Sequence, residues 1–328
     1  MKATEGENIG KVYKYQGIQI LRAIACCFVV LCHTNLKCKG AFGVDIFMII
    51  TGFMLVHSTE KSCDNFMKKR IFRILPMYWF MTIVTSIFVC VLPSLFHSYE
   101  FSWSYLIKSL FFIPYEHNGI RQPIYGLGWT LNYEMFIYII FFLALKISKK
   151  YRAVISSAIC IALVLISNLF FKQNFIMNYY GSTIILEFVF GMAVWYLLKY
   201  IESKCKKINV YIQILCFLVS MITIGLLWIF QDNSCRGVIS GGLAVLLFFS
   251  FFLWSYDKKI ENNILVHIGN SSYCIYLTHI YVVRISEKIF SFLPSILVAM
   301  ISIILSCLVG VLWNSCIERK VQNALRKI

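Results

Sequence analysis

The sequence predicts an all-α, polytopic integral membrane protein with about ten transmembrane helices and both termini in the cytosol. Of its 328 residues, 59% are hydrophobic and only 14% are charged. Long apolar runs recur along most of the chain, and the basic residues are concentrated in every second polar cluster between them. Length alone would suggest about two soluble domains, but these runs favour a single membrane-embedded bundle.

The predicted spans are continuous apolar stretches of the length that a helix needs to cross a bilayer. Strands of a membrane barrel would alternate polar and apolar residues, and only helices and closed barrels satisfy the backbone in lipid. We therefore predict helical spans at 17–36, 40–57, 76–96, 128–146, 153–171, 181–198, 208–230, 237–256, 268–285 and 294–314.

The net charge of +16 does not predict nucleic-acid binding, because the charge follows the predicted topology. Of the 31 Lys and Arg residues, 22 lie on the side that holds both termini and 7 on the opposite side, while Arg22 and Arg284 lie inside spans. This is the positive-inside pattern. It indicates a cytosolic face that contacts anionic lipid head groups, and no nucleic-acid partner.

The whole chain is predicted to form one membrane domain, with a cytosolic tail at 1–15, the bundle at 17–314 and a basic cytosolic tail at 317–328. The basic segment 58–75 fits a separate interfacial helix that precedes the third span. The longest outward connection, 97–127, contains an apolar core too short to span, which is either re-entrant or interfacial. Any chemistry must therefore use the bundle itself.

Arg22 and His33 lie in the first predicted span and share one face of its helix. Eleven residues of an α-helix make three turns plus about 20°, so the two side chains are separated by about 16 Å along the axis. A cation and an imidazole on one stripe of a membrane helix cost free energy, and such residues usually serve a function.

Further ionisable residues lie within or at the edges of the predicted spans, and such residues usually face the bundle interior or a watered cavity. They are Asp45, Glu134, Glu187, His279 and Arg284. The predicted topology puts these near the outer half of the membrane with His33, and puts Arg22, Arg70 and Arg73 at the cytosolic end. This arrangement suits a cytosolic anion joined to a reactive group by a long linker, which is the shape of coenzyme A.

The residue types also fit acyl transfer from such a donor. Arginine binds phosphates through a planar fork of donors that never deprotonates. An imidazole such as His33 can deprotonate a hydroxyl or carry the acyl group itself. A carboxylate such as Asp45 could orient His33 and stabilise its imidazolium. The thirteen cysteines show no metal-ligand spacing, so no metal site is predicted.

Over nearly its whole length the chain resembles the membrane acyltransferase-3 family of bacterial carbohydrate O-acyltransferases. Each matching motif is short, but six of them occur in the family's order. They are the pair Arg22-x10-His33, GVDIFMIITGFM at 43–54, KKRIFRILPMYW at 68–79, LGWTLNYEMFIY at 127–138, EFVFGM at 187–192 and IGNSSYCIYLTH at 268–279. The family commonly has Phe-Phe and Ser in the second motif, where this chain has Phe47, Met48 and Thr51.

The resemblance implies an O-acyltransferase of the bacterial inner membrane, with cytosolic acyl-CoA, most simply acetyl-CoA, as co-substrate and no resident cofactor. The acceptor would be a hydroxyl of a cell-surface or lipid-linked polysaccharide. The resemblance identifies Arg22 and His33 with the functional Arg-x10-His pair of the family. It assigns donor binding to Arg70 and Arg73. It points to Asp45 and Glu134 as functional carboxylates. Acceptor contacts are expected from a further set of residues, namely Trp129, Glu187, Tyr276, His279 and Arg284.

Several of these residues also have purely structural interpretations. Arg70 and Arg73 could reflect topology alone, since basic residues flank membrane spans. Glu187 and Arg284 could form an interhelical ion pair. Residues 273, 276 and 279 fall on one helix face, and an aromatic stripe of this kind can serve packing. His33 and Glu134 could be interfacial residues.

The rival function is a transporter or flippase that uses Asp45, Glu134 and Arg284 as a translocation path. Transporters often contain internal repeats and broken helices at matching positions, and no repeat is evident here. A non-catalytic scaffold in a glycan-assembly complex would leave the buried charges unexplained. The sequence leaves open a homo-oligomer and partners in glycan assembly.

Overall fold

The computed structural model describes residues 15–36, 38–92, 100–205, 207–230, 236–256, 258 and 263–326. Residues 1–14 of the predicted tail at 1–15 lie outside the described residues. The fold is all-α as predicted, and the described residues contain no strand beyond an isolated bridge between His117 and Ile120.

The first half of the chain forms α1 (Gln16–Cys32), α2 (Phe42–Ser58), α3 (Phe66–Val91), α4 (Trp103–Leu110), α5 (Trp129–Ile147) and α6 (Arg152–Phe170). The second half forms α7 (Phe175–Tyr180), α8 (Ile185–Lys204), α9 (Val210–Phe230), α10 (Arg236–Ser255), α11 (Ile264–Asn270), α12 (Ser272–Ile289), α13 (Ser295–Trp313) and α14 (Arg319–Arg326). A π-helical turn, Asn314–Glu318, joins the last two.

Each predicted span has a helix at its position, but the helices differ in their capacity to cross a membrane. Among the described residues, seven helical segments are long and apolar enough, and they contain α3, α5, α6, α8, α9, α10 and α13. The other three are α1 and α2, which are apolar but have 17 residues each, and α12. These three carry Arg22, Asp45 and His279, which are three of the predicted functional residues.

The structure corrects the prediction of a separate interfacial helix at 58–75. α3 is one continuous helix from Phe66 to Val91 with Pro76 inside it. The charges near its start suggested a surface segment, but two of them, Arg70 and Arg73, point into the bundle and line a cavity. The basic part of α3 therefore belongs to the bundle wall.

The predicted ninth span is also shifted. Ser271 separates α11 from α12, so the long helix begins at Ser272 and ends at Ile289. The Ser271 hydroxyl accepts a hydrogen bond of 2.7 Å from the Asn314 side-chain amide. This bond holds the break between α11 and α12 against the π-helical turn. The predicted C-terminal tail continues from that turn as α14.

α2 lies at the centre of the bundle and packs on α1, α8 and α10. Its contact with α8 is a backbone-to-backbone approach at two glycines. A Cβ on Gly52 would collide with the carbonyl of Phe188, and a Cβ on Gly191 would collide with the carbonyl of Ile49. Small residues allow this close crossing in membrane helices.

The connection before α5 is held against the middle of α3 by two hydrogen bonds. The Tyr78 hydroxyl donates to the carbonyl of Ser109 at 2.9 Å, and the Trp79 indole donates to the carbonyl of Leu110 at 2.9 Å. α4 has only eight residues, and Trp103 at its start is 71% exposed. The end of α4 is therefore held against the middle of α3, while the start of α4 is exposed.

Candidate active site

A cavity lies between α1, α2, α3, α5 and α12, and with its opening it encloses about 770 Å³. The charged and hydroxyl-bearing residues of its lining are Arg22, Thr51, Arg70, Arg73, Thr130, Glu134, Tyr138, Ser272, Tyr273 and Tyr276. The remaining lining residues are apolar and come mainly from α2.

The three arginines that the sequence grouped together meet in this cavity. Arg70 donates to the Ser58 hydroxyl at 2.6 Å, and its guanidinium lies 5.4 Å from the Phe66 ring centroid and 5.3 Å from that of Tyr138. These cation–π contacts hold the guanidinium in place. Arg73 interacts electrostatically with Arg22 across the cavity.

Arg22 has a side-chain N–H group that could donate a hydrogen bond to a ligand. Its Nη1 donates to the side chain of Gln19 at 3.4 Å, a long hydrogen bond. Its Nε is buried and has no hydrogen-bond partner in the part of the chain that the structure describes. A buried donor without a partner costs free energy, and an anion bound in the cavity would satisfy it.

Glu134 lies among these arginines. It is close enough to Arg22, Arg70 and Arg73 to interact electrostatically with each, and it accepts a short hydrogen bond from the Tyr138 hydroxyl. The sequence had put Glu134 at the depth of His33, so this placement is a correction. α5 begins within one residue of the predicted span, so the error lies in the assigned depth of Glu134 and not in the span boundary.

Glu318 is a second carboxylate near the arginines, and the sequence reasoning missed it. It lies in the π-helical turn, interacts electrostatically with Arg73 and Arg22, and lines a neighbouring groove together with Arg73. Gln322 donates to it at 2.7 Å, and the Cys274 thiol donates to it through a short contact. The only feature of the sequence that could have indicated Glu318 was its position as an acidic residue at the start of a basic tail.

His33 lies one helical turn beyond the cavity, against His279. Their rings meet edge to face, with His279 Nε2 3.4 Å from His33 Nδ1. His33 Nδ1 also lies 2.8 Å from the carbonyl of Val29, and His279 Nδ1 lies 2.7 Å from that of Tyr276. Because a carbonyl only accepts, both Nδ1 atoms carry a hydrogen, and the lone pair of His33 is on Nε2.

Arg22 and His33 both face α12. The Cys26 thiol, between them on α1, donates to the carbonyl of Ser272 at 3.8 Å, while Arg22 lines the cavity beside Ser272 and His33 contacts His279. α1 and α12 therefore run side by side in the same direction. The Tyr276 side chain lines the cavity and its carbonyl bonds His279, so the cavity reaches to within one turn of the histidines.

Asp45 is fully buried on α2, but it does not orient His33. Within the described chain, the hydrogen-bonding contacts of His33 are with Val29, Cys32 and His279. The predicted Asp45–His33 pairing is therefore wrong, because the carbonyl of Val29 occupies the Nδ1 position where such a carboxylate would bind. Asp45 lies beside Val44, which lines the cavity.

The predicted Glu187–Arg284 ion pair is also wrong. Arg284 pairs with Glu287 on its own helix at 3.3 Å, and its side chain is 65% exposed. Glu187 is fully buried on α8, which packs on α2, α6 and α10, whereas α12 packs on α1 and α13. The two residues lie on different sides of the bundle. Arg284 instead interacts electrostatically with His33.

Trp129 lies apart from the arginine cavity. It lines a separate pocket of about 1,220 Å³ with Arg121, Tyr133, Asn178 and Tyr179. Its carbonyl accepts a hydrogen bond of 3.1 Å from the Tyr179 hydroxyl. Tyr276, in contrast, lies in the cavity wall, where its hydroxyl contacts Thr130 at 2.9 Å and donates to the carbonyl of Leu127 at 3.0 Å.

Residues 15–314 match the model of the acyltransferase-3 family, which is described as an acyltransferase domain. The chain is 30% identical over 257 residues to the exopolysaccharide production protein ExoZ of Rhizobium meliloti strain 1021, covering 76% of this chain and 78% of the relative.

It is 24% identical over 327 residues to "Putative O-acetyltransferase SAS0844" of Staphylococcus aureus strain MSSA476, covering 86% of this chain. The chain spans about half, 53%, of that relative's length. No solved structure matches the chain.

Proposed function

Because the chain belongs to the acyltransferase-3 family, we propose that it is a membrane O-acetyltransferase with cytosolic acetyl-CoA as donor. The acceptor is a hydroxyl of a cell-surface or lipid-linked polysaccharide in a bacterial inner membrane. The observation that carries this proposal is the cavity that gathers Arg22, Arg70 and Arg73 and ends one helical turn from His33. The names of two relatives, one for exopolysaccharide production and one for O-acetyltransferase, support it.

The arginines form the donor-binding end of the site. Their guanidinium groups suit the phosphates of coenzyme A, because each offers a planar fork of donors. The free Nε of Arg22 is one such donor. Glu134 offsets part of the positive charge while the donor is absent.

The thioester reaches His33 past Tyr276. About 16 Å separates residues 22 and 33 along α1, which calls for a donor with a long, thin arm between its phosphates and its reactive carbonyl. The cavity wall between these points is formed by Val44, Phe47 and Tyr276 and is mainly apolar. An apolar wall suits the pantetheine arm and keeps water from the thioester.

His33 acts as the general base. Its Nε2 lone pair takes the proton of the sugar hydroxyl while that oxygen attacks the thioester carbonyl. The new carbon–oxygen ester bond forms, the carbon–sulfur bond breaks, and His33 returns the proton to the departing sulfur of coenzyme A. The carbonyl of Val29 holds the Nδ1–H and fixes this tautomer.

The proposal is tested with the purified protein in proteoliposomes. The donor is radiolabelled acetyl-CoA, and the acceptor is the glycan of the producing cells after mild alkali has removed its O-acetyl groups. We expect transfer of base-labile label to the glycan, and a loss of about 10²–10⁴-fold in rate for His33→Ala. His267→Ala, an exposed histidine of α11, is the matched control. Transfer at the normal rate by His33→Ala would refute the assignment.

The same vesicles test the rival function. A transporter or flippase would move solute or glycan across the bilayer without breaking the thioester. Release of coenzyme A in step with glycan labelling, and no net flux of solute, supports the enzyme. Flux of glycan without release of coenzyme A would favour the transporter.

A further inference from the structure

A small polar pocket lies beyond His33, at the end of the bundle opposite the arginines. It encloses about 420 Å³ and is lined by Thr34 and Asn35, which directly follow His33, and by Glu287, Ser291 and Ser295. It is separate from the arginine cavity and shares no lining residue with it. None of these residues belongs to the six motifs that the chain shares with the family.

Glu287 is the central polar group of this pocket. Its side chain is only 8% exposed although it lies near the end of α12. One carboxylate oxygen accepts the backbone N–H of Asn35 at 2.5 Å, and the other accepts from Arg284 at 3.3 Å. A carboxylate oxygen has two lone pairs, so each oxygen can accept one more hydrogen bond.

The pocket adjoins the proposed base. Glu287 lies two helical turns beyond His279 on α12, about 12 Å along the axis. Its bond to Asn35 ties it to the turn that follows His33. Arg284, which interacts electrostatically with His33, lies on the same side. A molecule bound here would approach His33 from the side opposite to the donor cavity.

We propose that this pocket binds the sugar residue of the acceptor and presents its hydroxyl to His33. The proposal rests on the proposed function and adds to it the location and the recognition chemistry of the acceptor. A buried carboxylate beside the Ser291 and Ser295 hydroxyls suits neighbouring hydroxyls of a glycosyl residue, which can donate to Glu287. It does not suit a phosphate, because two anions would repel.

The larger pocket beside Trp129 is the competing location. It contains Arg121, Tyr133 and Asn178, which could also contact a sugar. In the described chain, however, neither His33 nor His279 forms a hydrogen bond or ring contact with any residue of its lining. The polar pocket is the better site because its lining includes Thr34 and Asn35, which directly follow His33.

The test measures kinetics with radiolabelled acetyl-CoA while the concentration of alkali-treated glycan is varied. Glu287→Gln keeps an oxygen for the Asn35 N–H but removes the charge. Loss of a hydrogen bond to a charged group corresponds to about a ten-fold or larger change in affinity. We therefore expect the KM for glycan to rise about ten-fold in Glu287→Gln, with the KM for acetyl-CoA little changed.

Ser291→Ala is a second variant that does not touch the Asn35 bond, and we expect a smaller rise in the same KM. Lys288→Ala, exposed on the same helix, is the matched control and should change neither KM. Arg121→Ala tests the competing pocket.

An unchanged KM for glycan in both Glu287→Gln and Ser291→Ala would overturn the proposal, as would a rise caused by Arg121→Ala alone. Equal rises in both KM values with a lower Tm would show a structural role and also overturn it. If any of these three results occurs while His33→Ala still abolishes transfer, the proposed function stands and only the assignment of the pocket is wrong. If the unaltered protein transfers no label, the proposed function itself fails.

Discussion

His33 and His279 lie edge to face, with ring centroids 4.9 Å apart and ring planes at 71°. Each uses Nδ1 to bond a carbonyl of the preceding turn of its own helix. The two rings come from opposite halves of the chain, 246 residues apart. His33 is therefore held by the backbone of its own helix and by the His279 imidazole rather than by a carboxylate.

This relationship predicts that His279 positions His33. His279→Asn removes the ring that packs against His33, so the imidazole gains rotational freedom. We expect kcat to fall about ten-fold, well short of the 10²–10⁴-fold typical of a lost general base, while both KM values stay within two-fold. Steady-state kinetics in proteoliposomes provide the measurement, with His267→Asn as the control. A fall as large as that of His33→Ala would mean that His279 contacts the reacting atoms itself.

A second prediction concerns Arg73. Arg73→Lys keeps the charge but loses the planar fork of donors, so bidentate phosphate contacts become single ones. We expect the KM for acetyl-CoA to rise about ten-fold, with kcat little changed. Lys69→Ala, an exposed position one turn away on α3, should leave the KM unchanged. An unaltered KM in Arg73→Lys would show that Arg73 does not bind the donor.

A third prediction is that removing the charge of Glu318 strengthens donor binding, whereas Arg73→Lys weakens it. It interacts electrostatically with Arg73 and Arg22, but its hydrogen bonds come from Cys274 and Gln322. Glu318→Gln keeps an acceptor oxygen and removes a negative charge near the arginines, so the donor phosphates meet a more positive cavity. We expect coenzyme A to bind about two- to five-fold more tightly at low salt, with a smaller gain at high salt.

Isothermal titration with coenzyme A at two salt concentrations measures this effect. Glu202→Gln, an acidic residue near the end of α8, is the control. Weaker binding in Glu318→Gln would contradict the prediction and indicate that Glu318 holds Arg73 in position.

A fourth prediction concerns stability. Gly191→Ala adds a Cβ that collides with the carbonyl of Ile49, so the close contact between α2 and α8 must open. Overpacking of this kind costs about 1–3 kcal/mol, and we expect a clearly lower Tm in detergent. Gly225→Ala is the matched control, because a Cβ there meets no heavy atom within 4 Å, and it should hold or raise the Tm. Equal Tm values for the two variants would contradict the close approach.

The helical fold and much of the cavity could be predicted from the sequence. Apolar runs of membrane length fix the helices, and the predicted topology put Arg22, Arg70 and Arg73 together at the cytosolic end. Their convergence in one cavity agrees with that expectation, although their role as donor ligands stays a prediction. Trp129 was grouped with the acceptor contacts, and it lines a pocket apart from both His33 and the arginines.

The errors have a common cause. Depth along a span says how far a residue lies from the membrane surface but not which neighbour it faces. Asp45 and His33 share a predicted depth, yet the carbonyl of Val29 takes the bond that Asp45 was expected to make. Glu318 and Glu287 were missed because they lie near helix ends, where a carboxylate is unremarkable in sequence. Only the packing of helix ends against one another brings them to cavities.

The glycine contact between α2 and α8 has a consequence for how the donor enters. With no side chains between them at Gly52 and Gly191, the two backbones lie in direct contact, so α2 cannot slide along α8 without steric collision. We therefore expect this helix pair to act as the stationary wall of the cavity. For the proposed donor, coenzyme A, we expect entry through motion of α3 and α5, which carry Arg70, Arg73 and Glu134.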